Sequence, residues 1–437
     1  MVRSRNNLYL IVHRGAHTIG GNCVEVKTDT TRILIDAGIP LTDEEGNRNE
    51  EDYRGKTADE LVAKGLLPDI PGVFSAGETD IDAILISHSH LDHYGFLEHV
   101  KPGVDVYMSE GCKAMIDASN IFLRGHAVHP KAVIVKPGKH FRIGDITVTP
   151  YLVDHSAFGA LAFLIESGGK RVFYTGDMRG HGRKSKLFDA MIKNPPEGID
   201  LLIAEGTVMG AREKMPEKET ALQGKIEKIL RDTDNITFLF TSAQNIDRMV
   251  TAYKACRRTN SIFVVDLYTA FILDKANNIS KGVPKTTWSD IRIKYFQHHI
   301  EALEKWGYSN LLYHYGKRKI DIFEISRKRN RILMLTRDNS IFPAIIKKVK
   351  NTEGAIAVYS MYHGYLKEKF TTFCQNKRLA IEEVHTSRHI SLRDLEKLVG
   401  AIKPGRILPV HTVAANRFSE LWGDKVIKIK NGESIEV

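Results

Sequence analysis

Near Thr207 the hydrophobic rhythm of this 437-residue chain changes, and the change limits the folds open to it. Before that point the apolar residues come in short β-branched and aromatic runs set between turns. These runs are LYLIVH (8–13), RILIDAG (32–38), DAILIS (82–87), VDVYMS (104–109), ITVTPYLV (146–153), ALAFLIES (160–167), RVFYTG (171–176) and DLLIAE (200–205). Runs of this length and composition predict strands. Helical patterns such as KAMIDASNIF and SKLFDAMI interrupt them, so the first part predicts a mixed sheet with helices packed on it. Beyond Thr207, KETALQGKIEKILRD, ITFLFTS, NIDRMVTAYKACRR and SIFVVD follow one another, and this texture runs to about Glu383. Amphipathic segments alternating with single apolar strands are the period of an α/β unit. In SLRDLEKLVGAI, Ser391 and Asp394 then have capping-box spacing, and Leu392, Leu395, Leu398, Val399 and Ile402 form one stripe. Pro404-Gly405 closes that helix, and RILPV leads as a strand to His411.

The length exceeds one ordinary core and fits about two or three domains. With 42% hydrophobic and 27% charged residues, the composition is that of a soluble globular protein. No apolar run reaches the roughly 18 residues that cross a bilayer. The opening MVRSRNNLYLIVHRG has too short an apolar core, and no cleavage signature, for a secretory signal. A cytoplasmic location without a membrane partner is expected. Cys23, Cys112, Cys256 and Cys374 are scattered with no CxxC pair, the pattern of reduced thiols rather than disulfides or a zinc knuckle. The net charge of +10 favours a polyanionic partner such as nucleic acid.

The stretch Ser87 to Phe96, SHSHLDHYGF, places His88, His90, Asp92 and His93 within six residues. In a strand leaving a sheet, residues two apart point the same way, so His88 and His90 can grip one ion from one side. Asp92 and His93 follow where the chain must turn, and can face a neighbouring ion. Imidazole and carboxylate suit zinc or manganese, and a catalytic site leaves one position for water. A solvated loop would account for one such histidine, but not for four ligand-type residues in HxHxDH order directly after a buried-looking strand.

In this setting HxHxDH resembles the metallo-β-lactamase superfamily, whose members are αββα sandwiches with one or two metals at the sheet edge. The family's later motifs are met in order: a lone histidine by His155 in YLVDHSAFG, a bridging aspartate by Asp177 in VFYTGDMR, and an early bracing aspartate by Asp36 in ILIDAG. The second half resembles the β-CASP nucleases, closest to ribonuclease J and the endonuclease of messenger-RNA 3′-end processing. Glu205 in LLIAEGT, His389 in HTSRHIS and His411 in ILPVH stand at that branch's three markers, and SAQNIDR (242–248) resembles a helix start early in its extra domain. The resemblance implies an α/β fold, an αββα metallo-β-lactamase sandwich with an inserted α/β β-CASP domain. Residues 1–207 would form the first part of the sandwich, 208–383 the insert and 384–437 the returning part. Three departures accompany it. Arg388 stands where ribonuclease J has glycine in HxSGH, SMYHGYL replaces its TTGSQGE stretch, and the chain reaches Val437 soon after the third marker. A counterpart of the C-terminal domain that helps ribonuclease J dimerise is therefore not expected, which leaves oligomeric state and exonuclease or endonuclease action open.

The resemblance further implies that His88, His90 and His155 hold one metal, that Asp92, His93 and His411 hold the other, and that Asp177 bridges them. Two divalent ions, Zn2+ or Mn2+, roughly 3.5–4 Å apart can share a hydroxide, bringing the pKa of bound water towards about 7. Hydrolysis of an RNA phosphodiester would follow, with Asp92 and His389 as the catalytic residues, Asp92 through the metal and His389 as general acid. His385, Ser387, Arg388 and His389, beside a helix start at Ser391, would cradle phosphate oxygens. Asp36 and Glu205 would orient ligand imidazoles through the nitrogen that does not bind metal. RNA is preferred because His411 occupies the third marker, where DNA-cleaving members usually carry an aliphatic residue. The alternatives are a DNA nuclease, a small-molecule hydrolase of the glyoxalase II type, and a non-catalytic nucleic-acid-binding scaffold. Trp306 to Lys319 mixes rings and cations as a single-strand groove would, although such mixtures are more often half core and half solvated face, and the basic run Ser326 to Arg331 is open to the same two readings. The pair His298-His299 is expected to be structural.

Overall fold

The computed structural model describes residues 7–74, 78, 80–124, 132–210 and 215–437. The short apolar runs of the first part build two sheets that face each other. One has seven strands in the order Ser434–Glu436, Tyr9–Arg14, Cys23–Lys27, Arg32–Ile35, Ala83–Leu85, Asp105–Ser109, Ala132–Val135. Its neighbours are antiparallel up to Arg32–Ile35 and parallel beyond. The other has six, in the order Arg406–Val410, Leu201–Glu205, Lys170–Tyr174, Leu161–Ser167, Ile146–Leu152, Phe141–Ile143.

Side chains two apart on a strand share a face, and the layers follow from that rule. Leu10, Val12, Ile33 and Ile35 meet Val148, Phe163, Val172 and Ile203 in a core between the sheets. Leu34, Ile84 and Val106, on the opposite face, are buried with Cys112 and Ile116 of helix Glu110–Ser119. Phe173, Leu202 and Ile407 are likewise buried under helices Ser185–Lys193, Leu392–Ile402 and Ala415–Trp422. The result is helix, sheet, sheet, helix: the αββα sandwich.

The segment beyond Thr207 forms a third sheet of six strands in the order Ile291–Lys294, Ile262–Asp266, Ile332–Thr336, Thr237–Phe240, Ile356–Tyr359, Ala380–Glu383. Every neighbour pair in it is parallel. Parallel strands covered by crossover helices on both faces must be apolar throughout, and TFLF and ILMLT are buried at every position. Asn245, Asp266 and Ser391 each cap a helix by accepting a hydrogen bond from the backbone NH three residues on. Met115, Ala118 and Phe122 join the core cluster that holds Tyr268 and Phe271, so the sandwich and the third sheet share apolar packing.

All eight runs named from the sequence contain strands, displaced by at most a few residues. Cys23–Lys27 escaped notice because Glu25 stands in its middle. That carboxylate is buried and held by His13 at 2.7 Å and Arg32 at 2.8 Å. Helix Glu110–Ser119 starts three residues before KAMIDASNIF, at the cap Ser109, and passes into a wider turn at Asn120–Arg124. Among the described residues no helix is long and apolar enough to cross a membrane.

Candidate metal centre

The expected ligands leave the carboxyl ends of strands from both sheets, the rim where open α/β sheets bind their ligands. Ala83–Leu85 runs into His88 and His90, Ile146–Leu152 into His155, Lys170–Tyr174 into Asp177, and Arg406–Val410 into His411. Glu205 pairs with Val410 in the ladder, so His411 emerges one residue past it. Two non-glycine residues here adopt left-handed backbone: Asp36 at φ 63° and His411 at φ 54°. Their amides donate to Leu85 O at 2.8 Å and Gly15 O at 2.7 Å, which holds conformations that L residues otherwise avoid. The turn carrying Asp92 and His93 is clamped from below, since Ala37 N donates to His93 O at 2.7 Å and Ile39 N to Leu91 O at 3.0 Å. Glycine is needed between these two donors, because a β-carbon on Gly38 would collide with the Asp92 carbonyl.

Two groups of donors result. One ligand atom from each of His88, His90, His155 and Asp177 lies within 4.8 Å of the others, and the same holds for Asp92, His93, Asp177 and His411. Asp177 belongs to both. Its Oδ2 is 3.6 Å from His88 Nε2 and 4.0 Å from His155 Nε2, while Oδ1 is 3.4 Å from His93 Nε2. His90 Nδ1 lies 3.1 Å from His88 Nε2 and 3.2 Å from His155 Nε2. On the other side, His411 Nε2 is 3.2 Å from Asp92 Oδ2. A third group, Asp177, Glu205, His389 and His411, satisfies the same 4.8 Å criterion.

Burial and charge prepare these groups unequally. Burial, with neighbouring imidazole charge, holds His88 and His155 well below the usual histidine pKa. Burial and then the Arg388 charge lower His90 to about 3. All three rings are therefore neutral, the form in which imidazole binds metal. Burial opposes protonation of His93, but the Asp177 and Asp36 carboxylates outweigh it and raise its pKa well above the ordinary value. Burial also works against ionising Asp92 and Asp177, yet His411 and His93 keep both below the usual carboxylate range. Among the described residues, both oxygens of Asp177 and Nε2 of His93 are buried with no hydrogen-bond partner. Such atoms are costly to leave bare, and this donor set fits divalent cations.

The bracing residues divide the work. Asp36 accepts from Ser87 N and Ser87 Oγ, each at 2.8 Å, and from Tyr174 OH at 2.7 Å, and its Oδ2 lies 2.7 Å from His93 Nδ1. Glu205 sits elsewhere: its Oε2 is 3.1 Å from His389 Nδ1, and Thr207 Oγ1 bridges it to His411, lying 2.7 Å from both Glu205 Oε2 and His411 Nδ1. Thr207 and Tyr174 went unremarked in the sequence because a lone hydroxyl carries no pattern. The same is true of Arg179. It is buried two residues after Asp177, donates to Ser387 O at 3.0 Å and to Asp247 Oδ2 at 2.5 Å, and so ties the HTSRHIS loop to helix Ile246–Arg258.

Within that loop Ser387 is engaged locally, accepting from His389 N at 3.1 Å. His385 is half-buried, and burial, then the charges of Arg248 and Arg388, bring it to about 3. The Trp306 to Lys319 segment is split, with Tyr315 in the core and Tyr308 and Tyr313 exposed. In Ser326 to Arg331, Lys328 pairs with Glu324 at 2.6 Å and Arg331 donates to Asn260 O at 2.8 Å. His299 is buried and His298 exposed, and among the described residues neither falls in a metal-type cluster. All four cysteines are buried and unpaired with one another.

Comparison with known proteins points the same way. Residues 31–260 match the family described as the beta-lactamase superfamily domain. The chain is 24% identical over 388 residues to ribonuclease J of Sinorhizobium meliloti, covering 85% of this chain and 66% of that protein. It is 24% identical over 306 residues to transcription termination factor FttA of Methanothermobacter thermautotrophicus, covering 64% of this chain and 45% of that one. The chain thus spans about two thirds or less of the length of these curated relatives. A crystal structure of a protein of unknown function from Enterococcus faecalis V583 shares the fold, with a TM-score of 0.80 and 19% identity over 99% of this chain and 100% of that one.

Proposed function

Because the chain belongs to the metallo-β-lactamase superfamily, in its β-CASP nuclease branch, we propose that it is a divalent-metal-dependent ribonuclease. The observation that carries this reading is Asp177, whose two carboxylate oxygens face two different sets of imidazole and carboxylate donors. His88, His90 and His155 would hold one ion, Asp92, His93 and His411 the other, and Asp177 both. Zinc or manganese ions there would supply Lewis acidity and acidify a water for attack on phosphorus. Asp36 fixes the His93 ring through Nδ1, so that Nε2 faces Asp92 and Asp177. Glu205 and Thr207 hold the His389 ring beside Asp177, which suits it to hand a proton to the leaving oxygen. Arg388, whose charge reaches His90 and His385, would attract the phosphate. The names of the relatives favour RNA.

The test is incubation of the protein with zinc or manganese and matched RNA and DNA oligonucleotides labelled at either end. Metal-dependent shortening of RNA, lost in Asp177→Ala, is the expected result, and the product ladder separates exonuclease from endonuclease action. Preferential cleavage of DNA would move the assignment to a DNA nuclease. Intact oligonucleotides of both kinds would leave a nucleic-acid-binding scaffold.

A further inference from the structure

The loop Ser360–Leu366, on the third sheet, contains a ring that the proposed chemistry does not use. Tyr362 is 61% exposed, yet it is pinned. Its ring lies against Gly364, where a β-carbon would come within 2.5 Å of Tyr362 Cε1, and its edge meets Tyr365 at 5.6 Å and 85°. Tyr365 N donates to Tyr362 O at 3.0 Å, closing the turn. An exposed aromatic ring fixed in place offers a face on which a base could stack.

Both neighbours of this loop belong to segments that lead towards the metal centre. On one side Ser360 Oγ donates to Val384 O at 2.5 Å, and Arg248 grips the same carbonyl at 2.9 Å. Val384 leads directly into the His385 to His389 stretch. On the other side the Arg48 guanidinium lies 5.1 Å from the Tyr365 ring centre. Arg48 pairs with Thr42 across a tight turn, and a β-carbon on Gly46 in that turn would lie 3.7 Å from Val413, two residues past His411. The loop that carries the Tyr362 ring is thus tied on one side to Val384, which leads into the phosphate-facing stretch, and on the other, through Tyr365 and Arg48, to the turn that faces Val413 near His411.

We infer that Tyr362 is a stacking platform for one unpaired base of the strand whose phosphate enters the metal centre, a specificity element for single-stranded nucleic acid. The inference rests on the ribonuclease reading above. Every base has a π face, so such a platform selects unpaired strands without selecting sequence.

The experiment compares kcat/KM of metal-loaded wild type, Tyr362→Ala and Tyr362→Phe on a single-stranded RNA oligonucleotide. Parallel substrates carry one abasic nucleotide, moved stepwise along the chain, and the metal content of each protein is measured. Base stacking worth about 1–3 kcal/mol converts to a loss of roughly 5- to 150-fold in Tyr362→Ala, with Tyr362→Phe close to wild type and metal content unchanged. One abasic position should lower the wild-type rate similarly and cancel the difference between wild type and Tyr362→Ala. Equal rates for wild type and Tyr362→Ala on intact RNA, or a Tyr362→Ala deficit that persists at every abasic position, would overturn the platform while leaving the ribonuclease standing. A wild type inert towards RNA would overturn both.

Discussion

At the scale of single residues, the centre separates groups that would hold metal from groups that hold those groups. Asp177 is the hinge of the first set, with one oxygen towards His88 and the other towards His93. Asp36 leads the second, because it holds the His93 ring while also accepting from Ser87 and Tyr174. Asp36→Asn should weaken metal affinity by about 10–100-fold, as loss of a bracing carboxylate does, read by titration with a competing chelator. His389 poses a sharper question, since its ring lies 3.4 Å from Asp177 as well as 3.1 Å from Glu205. If it delivers a proton, His389→Ala keeps its metal and loses about 10²–10⁴-fold in turnover. Loss of metal from that variant would instead make His389 a ligand.

At the scale of elements, the strand ends supply the ligands and the connections between them set the spacing. Gly38 is the tightest of these connections. Gly38→Ala should drive the Asp92 carbonyl out of place, lower the metal content and abolish activity, with far-ultraviolet circular dichroism unchanged. Arg179 joins two elements distant in sequence, the loop at Ser387 and the helix at Asp247. Replacing a buried partner of an ion pair strands its charge, so Arg179→Met should cost about 3–5 kcal/mol in urea unfolding. Much of this architecture was legible beforehand, because short β-branched and aromatic runs between turns read as strands and longer amphipathic segments between single apolar runs read as an α/β unit. HxHxDH was legible for a similar reason, as ligand spacing is local. The links from Glu205 through Thr207 to His411, and from Arg179 to Ser387, were not. Each joins residues about 200 apart in the chain, 204 for Thr207 to His411 and 208 for Arg179 to Ser387, and sequence spacing carries no record of them. Glu205, expected to orient a ligand imidazole, is linked to the His411 ring through Thr207 and also holds His389.

At the scale of the whole molecule, the sandwich gathers anionic Asp92 and Asp177 into its rim, while the third sheet closes over them through the Val384 to His389 return. Divalent cations bound only by the folded chain should stabilise it by about 2.7 kcal/mol at a hundredfold excess over Kd, seen as a rise in Tm that a chelator reverses. The central claim is that hydrolysis depends on cations held on both sides of Asp177. Its most direct measurement is a titration of the metal-free protein with manganese or zinc, following bound metal and RNA cleavage together. The predicted result is binding to two equivalents per chain, with cleavage rising as the second equivalent binds and both lost in Asp177→Ala. Cleavage that persists in metal-free protein, or metal binding and cleavage unchanged in Asp177→Ala, would contradict it.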